Sequence, residues 1–217
     1  ESLLGNLWVL QGDAAKLLPQ FANEQGASHV FWNRCYEPSI IHRDSLIKEQ
    51  LTANGLTACS LNGSLIWEPW ENLKQDGTAY KIFTPFYKYA IANTPPAAPS
   101  HEDTSTFDTV KCLQDKNRFD KLNLLPAINW HKQISATWQP GEKGARQRLQ
   151  NFIHNGLGDY RDGRDYPDKR SVSMLSPHLH FGEISPREAA SMVKQAGDID
   201  SNEEQATHFV RELAWRE

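Results

Sequence analysis

Two rhythms of hydrophobicity share this chain, and each occupies its own stretch. Up to about residue 92 short apolar runs alternate with amphipathic segments; beyond about residue 140 only the helical period persists. Strands joined by helices build a parallel sheet, because a parallel pair needs a crossover long enough to hold a helix. The second rhythm packs helix against helix.

In the first stretch, residues 7–10 read as a short buried strand. Asp13 then caps a helix carrying Leu17, Leu18, Phe21 and Ala22 that Gly26 ends, and residues 29–32 give the next strand. A second helix has Pro38 in its first turn, keeps Ile40, Ile47 and Leu51 on one side and stops at Gly55, ahead of a strand at 56–61. Gln11-Gly12-Asp13 stands where a glycine-rich dinucleotide turn would be, so an ordinary dinucleotide site is unsupported. Pro95, Pro96 and Pro99 open a long connection rich in Ser, Thr and Asp. These signals predict an α/β domain over 1–92, a linker over 93–139 and an all-helical domain over 140–217.

In the helical stretch, Ala145, Leu149, Phe152, Ile153 and Leu157 mark an amphipathic helix over 143–157 with Gly158 as its stop. Ser185-Pro186-Arg187-Glu188 is a capping box ahead of Ala189, Ala190 and Val193, with Gly197 as the breaker; Ala206, Phe209, Val210 and Leu213 repeat the pattern. Hydrophobic residues make up 39% of the 217, enough for a real core, and no apolar run reaches the length of a bilayer span. Cys35, Cys59 and Cys112 stand far apart and read as reduced thiols in an intracellular, cytoplasmic protein. The formal charge of -4 offers nucleic acid no overall attraction. The chain lacks an initiator methionine and ends inside a helical pattern, so it reads as an excerpt.

Three places could hold chemistry. On the last helix Glu212, Trp215 and Arg216 share one strip, either a helix rim with a Glu212–Arg216 ion pair or a pocket wall that stacks a base and bonds its edge. The charged loop from Tyr160 to Pro167 leads to Ser176-Pro177, an N-cap and first helical residue where an anion could sit. Asn33 to Pro38 follows a strand and opens a helix, the usual place for ligands in open α/β sheets, although helix capping explains it equally. His178 and His180 lack a third ligand nearby, so no metal site is expected.

Ordered motifs extend across these features: Trp32-Asn33-Arg34-Cys35-Tyr36-Glu37-Pro38, Arg43-Asp44 and Tyr80-Lys81-Ile82-Phe83-Thr84-Pro85-Phe86-Tyr87-Lys88 in the first part. The second part carries Gly144-Ala145, Arg164-Asp165-Tyr166-Pro167, the run from Leu175 to Arg187, and Arg211-Glu212-Leu213-Ala214-Trp215-Arg216. With them the sequence resembles the DNA photolyase and cryptochrome family over nearly its whole length, closest to the class I photolyases that repair cyclobutane pyrimidine dimers.

The resemblance implies a Rossmann-like α/β antenna domain lacking its first strand, then an incomplete helical domain that binds FAD. It implies that Tyr160, Val172, Ser173, Met174, Leu175 and Ser176 line the flavin site, and that Phe209 and Arg216 also contact the flavin. Arg164 would contact DNA phosphate, Glu212 would hydrogen-bond the flipped dimer, Trp215 would stack on it and Arg216 would anchor phosphate. Asn33 and Glu37 are candidate contacts for a folate or deazaflavin antenna. The implied partner is DNA containing pyrimidine dimers, bound by a monomer without a membrane anchor. The pair Glu212 and Trp215 favours repair of cyclobutane dimers over signalling, and the DASH cryptochromes keep the same pair. Because downstream flavin-binding residues lie outside these 217, the chain alone is expected neither to hold FAD tightly nor to repair DNA.

Overall fold

The computed structural model describes residues 8–96 and 122–217. Their elements run α1 (Ala14–Glu24), β1 (His29–Asn33), α2 (Pro38–Ala53), β2 (Thr57–Leu61), α3 (Phe83–Asn93), α4 (His131–Thr137), α5 (Glu142–Asn155), α6 (Tyr160–Gly163), α7 (Ser176–His180), α8 (Pro186–Ile199) and α9 (Glu203–Leu213). The chain divides into two compact units, Glu1–Leu61 with Ser100–Thr137 and Asn62–Pro99 with Trp138–Glu217.

The first unit repeats one device. The Asp13 side chain accepts a hydrogen bond from the Ala15 amide at 3.0 Å and so starts α1. At its end the Ala27 amide donates to the Ala22 carbonyl and Gly26 to Asn23, with Gly26 at φ +64°. Helix α2 closes identically, Leu56 donating to Leu51 and Gly55 to Thr52, with Gly55 at φ +79°. Only glycine takes that left-handed turn cheaply, and each turn delivers the chain directly into a strand. Strands β1 and β2 pair in parallel from His29 opposite Thr57 to Asn33 opposite Leu61. Val30, Trp32 and Ala58 cover a small core of Ala22, Ile47, Leu51 and Leu56.

The predicted strand at 7–10 does not form over residues 8–10, and Leu7 lies outside the described residues. A strand needs a ladder partner. Trp8 instead sets its ring on Phe21 of α1, with centroids 5.3 Å apart.

In the second unit one apolar core includes Leu149 and Phe152 of α5, Ala189, Ala190 and Val193 of α8, and Phe209, Val210 and Leu213 of α9. Ile66, Trp67 and Ala90 belong to that core too, so residues 62–92 pack with the helical residues and the compact units part at Leu61 rather than near residue 92. Burial of large apolar side chains decides this membership.

Three local readings change. Helix α5 ends at Asn155 with Gly156 as its cap, and the residues up to Asp159 form a 3-10 turn. Gly197 lies inside α8, where a Cβ would stand 2.6 Å from the Ala206 Cβ; it admits α9 and does not break the helix. Ser185 caps α8 through the Arg187 amide at 3.2 Å, but Glu188 does not close the box: it takes Arg146 of α5 at 2.9 Å.

Candidate functional site

Four consecutive backbone turns shape the charged loop after α5. Arg164 donates its amide to Tyr160, Asp165 to Asp162, Tyr166 to Gly163 and Lys169 to Tyr166, at 3.0–3.4 Å. Tyr160 is buried, its ring edge-on to both Phe152 and Phe209. Burial pushes its hydroxyl above the ordinary phenol range, while a hydrogen bond from Arg164 pulls the other way. From the same loop the Arg164 guanidinium reaches α9 and meets the Glu212 carboxylate at 2.5 Å, both side chains about one-third exposed.

The rim reading pairs Glu212 with Arg216, and the structure replaces that partner. Past Leu213 the helix tightens into a 3-10 turn over Ala214–Arg216. Each residue there advances about 120° instead of 100°, so Arg216 no longer stands above Glu212. Arg216 donates instead to the Ser64 carbonyl at 3.4 Å.

Trp215 on the same turn is 60% exposed and lies flat on Phe83 of α3, with centroids 3.9 Å apart and planes 11° from parallel. The two rings help to line a cavity of about 280 Å³ with Trp67, Tyr80, Phe86 and Asn72; Glu212 is not part of its wall. Trp215 and Glu212 therefore share a helix end without sharing that cavity.

The side chain of Glu217 also reaches it, accepting hydrogen bonds from the Ile66 and Trp67 amides at 3.0 and 3.2 Å. Its carboxyl is enclosed although the residue as a whole is exposed. Desolvation outweighs those two bonds and raises its pKa from 4.5 to about 7. In that window the folded chain holds a proton that the unfolded chain has released, so this group's contribution to stability falls as pH rises from 4.5 to about 7. Comparing Glu217→Gln with the parent by urea unfolding should give a stability difference that changes across that interval and is level above it. A difference independent of pH would show that the carboxyl is not enclosed.

The loop before α7 presents a mixed surface. Leu175 is buried, Val172 and Met174 are exposed, and Met174 takes a left-handed φ of 52°. The hydroxyls of Ser173 and Ser176 make no side-chain hydrogen bond among the described residues. Ser176 is the first residue of the five-residue helix α7, whose N-cap is Leu175, so it does not cap the helix as predicted. Phe209 is buried against Phe152 and Tyr160. The loop thus sets two hydroxyls, each able to donate and accept a hydrogen bond, among apolar side chains.

Elsewhere, His178 is fully buried, bonded through Nδ1 to Glu183 at 2.5 Å and stacked on Trp138. No cluster of three His, Cys, Asp or Glu side chains occurs among the described residues. Asn33 ends β1 and Glu37 precedes α2 without capping it, both exposed. Neither lines the nearby 160 Å³ hollow, whose walls include Trp32, Arg34, Asp44, Lys48 and Ser60. Cys35 is exposed and Cys59 half-buried, both free; Cys112 lies outside the described residues. No described helix is long and apolar enough to cross a membrane.

The sequence motifs do not reveal Asp159, Gly163, Lys169 or Ser171, which gather at the base of the charged loop, nor Phe83 as the support of Trp215. The only signal is Asp162-Gly163-Arg164, a glycine beside a candidate site residue.

Comparison with known proteins converges on one group. Residues 1–102 match the family model described as DNA photolyase. The deoxyribodipyrimidine photo-lyase of Agrobacterium fabrum is 36% identical over 98% of this chain and 44% of its own length. Cryptochrome-1 of Arabidopsis thaliana is 30% identical over 94% of this chain and 31% of its own. A bacterial class III photolyase from Agrobacterium tumefaciens superposes with a TM-score of 0.86 at 35% identity, covering 94% of this chain and 42% of that one. The chain thus spans less than half the length of these relatives.

Proposed function

We propose that this chain, which belongs to the DNA photolyase and cryptochrome family, supplies the lesion-facing part of a light-driven enzyme that repairs cyclobutane pyrimidine dimers. The observation that carries the proposal is the half-open ion pair between Arg164 and Glu212. Deep burial would leave a guanidinium and a carboxylate unable to meet a nucleotide, and full solvation would leave them weak. At one-third exposure both can exchange partners.

In this reading Arg164 leaves Glu212 for a DNA phosphate, and the freed carboxylate accepts a hydrogen bond from the flipped dimer. Trp215, backed by Phe83, stacks on the dimer, and Arg216 holds the neighbouring phosphate. Ser173 and Ser176 would hold the flavin's phosphate and ribityl oxygens, with Val172, Met174 and Leu175 along its edge and Tyr160 and Phe209 behind it. FAD supplies the light-driven electron when bound. The residues named here bind, orient and exclude water. A class I assignment rests on Glu212 and Trp215; the Agrobacterium tumefaciens relative is a class III enzyme.

Light-dependent dimer repair by the full-length, flavin-loaded protein tests the proposal. Repair abolished by Glu212→Ala and kept, though slowed, by Glu212→Gln is the expected result. A blue-light signalling role is the second reading, favoured by the cryptochrome relative. Full flavin loading with no repair by the unaltered protein would establish that role instead. The antenna, folate or deazaflavin, is proposed near Asn33 and Glu37, and an absorption spectrum of the loaded protein distinguishes the two pigments.

A further inference from the structure

The base of the 160–170 loop is closed by a clasp that the lesion chemistry does not use. One oxygen of Asp159, Oδ2, accepts from Lys169 Nζ at 2.9 Å and from Ser171 Oγ at 3.2 Å. Ser171 is buried, so its hydroxyl approaches from the protein side while the lysine approaches from solvent. Gly163 packs against the Ser171–Asp159 bond. A Cβ on it would lie 2.3 Å from Ser171 Oγ and 2.4 Å from Asp159 Oδ2, a distance that no side chain tolerates. The clasp can close only over glycine.

The position of that glycine gives the clasp its consequence. Gly163 immediately precedes Arg164, so fixing Gly163 against Ser171 and Asp159 also fixes the Arg164 Cα. An arginine on an unpinned turn spreads over many rotamers; on a pinned turn the Tyr160 ring, its centroid 5.9 Å from the guanidinium carbon, and the Glu212 ion pair select one. The exposed Lys169–Asp159 bond adds little to global stability by itself. Its effect is on register.

We infer that Asp159, Gly163, Lys169 and Ser171 are positioning residues that close this loop on itself and so set the Arg164 guanidinium on Glu212 before any DNA arrives. The use of that arrangement rests on the proposed lesion site; the arrangement itself does not.

The test is the Arg164 side-chain resonance in the ¹⁵N-labelled chain, assigned by its loss in Arg164→Lys. In the parent it should be shifted from free arginine and slow to exchange with water. Lys169→Met, a surface change that leaves the urea midpoint in place, should return it to the free-arginine position with severalfold faster exchange; Lys169→Arg should keep it. Gly163→Ala should abolish it, with circular dichroism checking that the helices persist. An unchanged resonance in Lys169→Met overturns the inference even if Gly163→Ala fails to fold. If the resonance collapses in Lys169→Met while Arg164→Ala leaves the affinity of the full-length protein for dimer-containing DNA unaltered, the clasp stands and the lesion assignment of Arg164 falls.

Discussion

Trp215→Ala in the full-length, flavin-loaded protein should weaken binding to dimer-containing DNA by one to two orders of magnitude while leaving undamaged duplex nearly untouched. Stacking of a base on an aromatic ring is worth about 1–3 kcal/mol, which corresponds to roughly 5- to 150-fold in affinity. The indole is already set for stacking, since it is 60% exposed, yet Phe83 lies flat beneath it at 3.9 Å and limits its tilt. A ring already held in place loses less entropy when a base lands on it. In the proposed reading undamaged duplex would be held through phosphates, which an indole does not contact, so the salt dependence of that binding should not change. Trp215→Phe should recover part of the loss and Phe83→Ala should cause a smaller one. Equal affinity of Trp215→Ala and the parent for the lesion would remove the stacking role and leave the Arg164–Glu212 pair as the only support for a flipped base at this helix end.

The parts of the fold legible in the sequence are those fixed by chemistry within one turn of chain. Asp13 as a cap, Pro38 in a first turn, and Gly26 and Gly55 as left-handed stops all act on neighbouring backbone groups, and all stand where the pattern places them. Gly197 misleads for the complementary reason. Its role is to let the Ala206 Cβ approach from α9, and nothing local distinguishes that from a helix stop. Helix α3 gives no start signal, since Ile82 precedes it without a side-chain cap and aromatic residues crowd its length. Its place in the helical unit follows from Ala90 and Trp67, whose burial depends on residues far along the chain.

The candidate residues stand out in the sequence; their pairings do not. Helical geometry puts Glu212, Trp215 and Arg216 on one strip, but the strip assumes that α9 keeps its pitch to Arg216. The 3-10 turn after Leu213 breaks that assumption and hands Glu212 to Arg164, 48 positions earlier (212 − 164). No spacing rule reaches so far. Likewise Phe83 stands within a family motif that gives no indication that its ring supports Trp215.

Gly144→Ala should destabilise the chain by about 2 kcal/mol, the reverse of what the substitution does in an ordinary helix, where alanine gains about 1 kcal/mol over glycine. Gly144 lies in the first turn of α5, and a Cβ there would stand 1.9 Å from the Gln139 carbonyl oxygen and 2.8 Å from its carbon. Those are backbone atoms, so no rotamer change relieves the clash. The chain can yield only by swinging the 138–141 turn outward, which moves Trp138 away from its stack between His178, centroids 4.9 Å apart, and the Arg148 guanidinium at 4.4 Å. For a chain of this length the loss corresponds to a melting midpoint lower by about 4–8 °C. Gly158→Ala is the control: its nearest neighbours are Asn202 side-chain atoms at 4.0 Å, and its stability should stay within about half a kcal/mol of the parent. Because His178 belongs to α7, which follows the 172–175 loop, Gly144→Ala should disturb that loop without touching it. Tryptophan fluorescence reports the broken stack directly, and an unaltered spectrum with an unaltered midpoint would show that the Gln139 carbonyl does not pack on α5.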